Sequence, residues 1–253
     1  MPSDLSLAPT PPPAKPADDL GIDRAFLMQM ARVPFIAVGF AALGLLGALA
    51  SPDYGPVVVI CLGMVLAAVI DGWAFKVPNW LTLPLVVSGW LLGLCADLGL
   101  GLGAFQGGVG SAVAGTAVGF ACLFPALFIG GMGQGDVKMQ MGFGSWVGAI
   151  YGAHEGLYIV LYAFCAGAIV GGVFGLVIMA LRRQFHKNAK NFREILVDLQ
   201  VMVTAGPAQA AQRANARRSS WVRLPYGVPL CVGFVGVLAL RVWLGGGSVL
   251  NFF

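Results

Sequence analysis

The sequence predicts an all-α, polytopic membrane helix bundle of about seven spans, with the N-terminus cytoplasmic. Three observations carry that expectation. Of the 253 residues, 58% are hydrophobic and only 10% charged, and mean hydropathy is +0.84. A soluble domain carries about 25% charged residues, so this chain lacks the polar surface to cover a water-exposed globule, and a soluble enzyme is excluded. Apolar runs long enough to consider as crossings of a ~30 Å hydrocarbon core recur from about residue 33 to residue 244. No barrel-like alternation is present, and because backbone facing lipid must satisfy its own hydrogen bonds, helices remain.

The elements follow in order. The first twenty residues hold six of the fifteen prolines and lack the basic-then-apolar order of a signal peptide, so 1–24 is expected to be a disordered cytoplasmic tail. An extra N-terminal span, about 33–50, lies within a unit 25–55. A membrane core, 56–181, carries spans at about 56–75, 81–102, 109–130, 139–153 and 155–181. The fifth span, at roughly fifteen residues, would rise only ~22 Å and is expected to be short or re-entrant. A basic loop, 182–224, contains FREILVDLQVMV, whose apolar pattern suits an amphipathic helix lying on anionic lipid or docking a partner. The last span, about 226–244, lies in a unit 225–253 with an outer C-terminus.

Charge fixes the orientation. With the N-terminus inside, fourteen of the fifteen Lys and Arg residues fall in cytoplasmic pieces, as positive charge does in membrane proteins. The exception, Arg241, is expected to snorkel outward from the last span. Asp53, Asp97 and Glu155 fall in outer loops. Cys61, Cys95, Cys122, Cys165 and Cys231 all sit in apolar runs with no C-x-x-C pair, which argues against a zinc site or a disulfide framework. No metal, cofactor or nucleic-acid partner is expected.

Two carboxylates stand at the cytoplasmic edge of apolar segments: Asp71 and Asp136. From Pro56, fifteen residues of helix bring the chain ~22 Å inward to Asp71. The next two spans go out and return, delivering Asp136 to the same layer. A carboxylate at that depth is a functional hypothesis by default. If the two lie close together they share a proton over part of the pH range, the arrangement with which aspartic proteases hydrolyse peptides. The bland alternatives are an interfacial residue for Asp71 and a helix cap for Asp136. Gly131, Gly133 and Gly135, preceding Asp136, would let backbone approach an extended peptide closely. Lys138 would hold a carboxylate ionised, meet an acid on the substrate, or simply snorkel. After Asp71, Pro78 biases Val77 away from helix and Asn79 would cap the helix starting near Trp80.

Asp71 with Val77, Pro78 and Asn79, the stretch Leu81–Pro84 and the run GQGDVKM from Gly133 to Met139 resemble the prepilin peptidases. The likeness is greatest to the short forms serving Flp-type tight-adherence pili, which are GxGD-type intramembrane aspartic proteases. Val77 stands for isoleucine and Met139 for leucine in that pattern. The run LPYGVP, 224–229, looks like the family's late proline-glycine stretch, which adds Pro225, Tyr226 and Gly227 as site-shaping residues. The resemblance covers about 56–155 and 224–235, and not 1–50 or 182–223. It implies Asp71 and Asp136 as the catalytic pair, with Gly133, Gly135, Lys138, Pro78 and Asn79 shaping the site. It also implies a multi-pass protein of the bacterial inner membrane, a prepilin or pilin-like substrate with a transmembrane helix, and a pilus or secretion machinery as partner. The missing C-x-x-C pairs imply a peptidase without N-methyltransferase activity. A presenilin-like protease fits less well, since Ile70 rather than tyrosine precedes Asp71 and the late motif is P-Y-G. The rivals from other classes are a cation-coupled transporter or channel using the same two acids, and a non-catalytic pilus assembly protein.

Overall fold

Helices account for every regular element of the computed structural model, which describes residues 24–128, 132–181 and 225–243 with the single positions 197, 200, 201, 204 and 206. The expected tail (apart from Arg24), Gly131, Leu224, the chain beyond Trp243 and most of the basic loop with its expected amphipathic helix lie outside these residues. The helices are α1 (Arg24–Ala50), α2 (Gly55–Ala74), α3 (Asn79–Asp97), α4 (Val109–Phe128), α5 (Gln134–Leu181) and α6 (Gly227–Trp243). The first five are long and apolar enough to cross a membrane, and α6 is a shorter apolar helix.

A straight helix of 48 residues would be more than twice as long as a bilayer core is thick, and α5 is not straight. At Gly152 the backbone takes φ 80° and ψ 178°, a conformation that side chains disfavour. Beyond it the chain doubles back, so that a Cβ on Gly156 would stand 3.1 Å from the Cα of Gly148. The two arms are the fifth and sixth expected spans. The first arm is unbroken from Gln134 to Gly152 and rises about 27 Å, so it is longer than the fifteen residues expected. The glycines of GQGD, which on the sequence delay the start of this span, belong to the entry and first turn of the helix.

Breaking a helix strips partners from the carbonyls before the break. Here the loop between α3 and α4 replaces two of them: Gln106 N–H donates to Ile150 O at 3.1 Å and Gly107 N–H to Ala149 O at 2.9 Å. That loop exists because α3 ends at Asp97 rather than near 102, with Gly99 and Gly103 at φ 75° and 74° turning the chain. Asp97 Oδ2 accepts the Val109 N–H at 2.8 Å and so serves the start of α4.

The first arm of α5 sits at the centre. Lipid supplies no hydrophobic drive between helices, so close backbone approach matters. A Cβ on Gly115 of α4 would run into the Gly144 carbonyl, and one on Gly148 into the Ser111 carbonyl. Towards α3, the fully buried Trp146 donates from Nε1 to Leu85 O at 3.1 Å and Ser88 Oγ at 2.9 Å. Towards α6, Phe143 stacks on Phe234 with centroids 4.4 Å apart. The second arm meets α6 where Gly233 packs on Gly167 and Ala163. Arg241, near the end of α6, does not snorkel. It pairs with Glu155 at the start of the second arm and lies 4.2 Å over the Tyr151 ring, because an acid and an aromatic face come within reach at the same end of the bundle.

The α4–α5 contact makes a direct prediction. Gly148→Val places methyl groups against the Ser111 backbone and is expected to destabilise the protein by about 1–3 kcal/mol. It should read as a lowered thermal unfolding midpoint in detergent, whereas Gly172→Ala, with open space around the added Cβ, should unfold with the parent.

Candidate active site

Asp71 lies on α2 three residues before the last helical position, and the helix ends where Phe75 adopts φ 50° and donates its N–H to Asp71 O at 2.8 Å. Its carboxylate is 5% exposed. The Oδ2 atom accepts the N–H of Gly227, the first residue of α6, at 2.8 Å. That approach requires glycine, since a Cβ at 227 would fall 2.8 Å from Oδ2 and 3.0 Å from the Asp71 Cβ.

Asp136 lies in the first turn of α5 and is 6% exposed. Its Oδ2 reaches back to accept the Gly133 N–H at 3.2 Å. This bond, one half of a capping box, satisfies an end group of the helix and places a carboxyl group at the positive end of the helix dipole. Capping and burial therefore coexist in one residue. The other oxygen, Oδ1, is buried without a hydrogen-bond partner, so it is free to engage a water or a peptide group.

The two aspartates are brought together by the segments that flank them. Gly135 rests on the backbone of Val77, where a Cβ would come within 3.1 Å of the Val77 carbonyl oxygen. The start of α5 therefore sits on the turn that follows Asp71. Tyr226, beside Gly227, is close enough to Asp136 to feel its charge, as is Asp71. Pro225 is half-buried and its carbonyl accepts the Val228 N–H at 3.4 Å, shaping the entry to α6.

Two expectations are corrected here. Asn79 does not cap α3: Pro78 is the capping residue, extended at φ −75° and ψ 144° with no side-chain cap, and Asn79 is the first helical position. Its side chain has another partner, because Asn79 Oδ1 accepts the Lys138 ammonium at 2.8 Å. Lys138 consequently neither snorkels nor pairs with an aspartate, but ties the turn after Asp71 to the first turn of α5. Both residues were visible as motif positions, whereas their pairing across 59 residues of chain was not. Gln140, fully buried one turn beyond Asp136, is a polar residue of this region that the sequence reading passed over. Among the described residues no group of three or more His, Cys, Asp or Glu could hold a metal ion.

Close approach at Gly227 yields a paired prediction. Gly227→Ala should push Asp71 off its donor and lower the unfolding midpoint by the equivalent of about 1–3 kcal/mol. Gly72→Ala, whose added Cβ would make an ordinary 3.6 Å contact with Val228, should unfold at or above the parent temperature.

The model of the type IV leader peptidase family matches residues 58–176, a stretch that contains Asp71, the Val77–Asn79 tripeptide and the Gly133–Met139 run. No curated protein and no solved structure matches the chain. The matched segment contains both buried aspartates and the contacts between Gly135 and Val77 and between Lys138 and Asn79 that join their surroundings. Over residues 58–176, somewhat less than half of its length, the chain is similar to the type IV leader peptidase family.

Proposed function

We propose that this protein is an intramembrane aspartic endopeptidase that removes the leader peptide from type IV prepilins or pilin-like precursors, with Asp71 and Asp136 as its working pair. The observation that carries this reading is the convergence of two buried carboxylates at one end of the bundle, each held by a glycine N–H. Two such groups cannot both ionise easily, so they share one proton.

In that state the ionised carboxylate takes a proton from water as the water oxygen attacks the scissile carbonyl carbon. The protonated carboxyl hydrogen-bonds the carbonyl oxygen, where negative charge develops. Collapse of the tetrahedral intermediate breaks the C–N bond, and the leaving amine takes up the proton gained from water. The backbone at Gly133, before the start of α5, suits an extended segment of substrate, while the Gly135 backbone is taken up by its contact with Val77. Pro78, Asn79 and Lys138 support that backbone from beneath, and Pro225, Tyr226 and Gly227 close the opposite side.

The charge distribution of the sequence supports a cytoplasmic location for this end of the bundle, and the likeness to leader peptidases supports a bacterial inner membrane. A basic leader would not be drawn to so positive a face, so recognition rests on residues at the cleavage site and on packing of the substrate's apolar helix. The likeness to peptidases of Flp-type pili supports a pilin of that kind, and hence a pilus assembly or secretion machinery as the wider partner. The absence of C-x-x-C pairs from the sequence favours cleavage without methylation of the new N-terminus.

Asp71→Asn and Asp136→Asn, at matched membrane levels, should each slow cleavage of a co-expressed prepilin by at least about a hundredfold, scored as the mobility shift of the mature form. Cleavage retained by either variant refutes the pair, and a parent that cleaves no candidate brings the transporter and scaffold readings forward. Mature pilin produced by the parent in the presence of S-adenosylmethionine labelled in its methyl group should carry no label at its N-terminus. Incorporation of label would refute the peptidase-only reading.

A further inference from the structure

Gln140 is a residue of the first arm of α5 whose chemistry is at odds with its place. Its side chain is fully buried, and both carboxamide atoms, Nε2 and Oε1, lack hydrogen-bond partners. Its sequence neighbours are Met139, also fully buried, and Met141. A third methionine would fill the same volume without burying two unpaired polar atoms, which is a standing penalty in an apolar interior. On the far side, α4 closes in: a Cβ on Gly119 would come within 2.6 Å of the Gln140 carbonyl oxygen, so water does not reach the residue from that direction.

Another orphaned atom in this part of the arm is Oδ1 of Asp136. Residues four apart share a helix face, side chains lean towards the helix N-terminus, and Gln with Asp at this spacing forms a known hydrogen-bonded pair. The face of Gln140 is thus the face of Asp136, one turn away. A donor without an acceptor and an acceptor without a donor stand on that face without bonding each other directly.

We infer that Gln140 is a positioning residue for Asp136, its Nε2 donating to Asp136 Oδ1 across one water. Gly133 then holds one carboxylate oxygen and Gln140 the other, so the Asp136 carboxyl plane is fixed at both ends. This inference rests on the proposed role of Asp136 for its catalytic meaning, but not for its geometry.

Three forms of the full-length protein in detergent test it: the parent, Gln140→Met and Gln140→Asn. Methionine preserves length and volume and removes the polar atoms. Asparagine keeps the carboxamide and leaves a void. If Gln140 only fills space, Met should be the better replacement in every assay. If it positions Asp136, the orders cross: thermal stability should run Met at or above parent and then Asn, while prepilin cleavage runs parent, Asn, Met. The Met variant should lose about tenfold in kcat with KM within about twofold.

A second readout is independent of turnover. The carboxyl stretch of Asp136, identified in the infrared spectrum by its loss in Asp136→Asn, should shift in Gln140→Met. An unmoved band together with full activity of Gln140→Met overturns the inference. A band that shifts in a protein whose parent form cleaves no prepilin sustains the hydrogen bond and refutes the peptidase reading instead.

Discussion

A carboxylate inside an apolar bundle needs a hydrogen-bond donor that brings no bulk with it, and the N–H of glycine at a helix start meets that need. Both buried aspartates are held in this way, Asp71 by Gly227 and Asp136 by Gly133. Much else follows from that constraint. Because Asp71 takes its donor from a residue 156 positions away, α6 must begin at the end of the bundle where α2 finishes. Because Asp136 takes its donor from three residues back, α5 must begin at the same depth, with its glycines against the Val77 backbone. The positive ends of two helix dipoles therefore converge on one pair of acids.

The partners of these acids are neutral, and that is a chemical choice. Lys138 is near enough to the site to have been an obvious counter-ion, but its ammonium is given to Asn79. An ammonium bonded to either aspartate would hold it ionised and leave the pair without a shared proton. Turned towards Asn79, the same charge becomes a strut between α3 and α5. The end of the bundle that holds both aspartates keeps them free of an ammonium partner, and the two halves of the motif are still fastened to each other.

Much of this architecture was legible in the sequence because the membrane reduces folding to a count of crossings. Hydropathy located every helix to within a few residues except at α1 and at the ends of α3 and α5, where glycine misled: Gly99 and Gly103 end α3 early, while Gly133 and Gly135 accompany the start of a helix instead of delaying it. The positions of Asp71 and Asp136 were legible for the same reason, since alternating spans return to the same face. What periodicity could not supply was the pairing of side chains across the bundle. Lys138 with Asn79, Arg241 with Glu155 and Trp146 with Leu85 and Ser88 each join residues more than fifty positions apart. Such pairs depend on helix rotation and tilt, which packing sets and a linear pattern does not encode.

The reversal at Gly152 bears on how the protein enters its membrane. A turn of essentially one residue leaves no hydrophilic loop to be translocated on its own, so the two arms of α5 must partition into the bilayer as a single hairpin. The carbonyls exposed at its tip would resist that step, but their donors, Gln106 and Gly107, lie upstream and leave the ribosome first. Synthesis order thus sets the donors ahead of the carbonyls that they serve, and biogenesis and native structure draw on the same two amides.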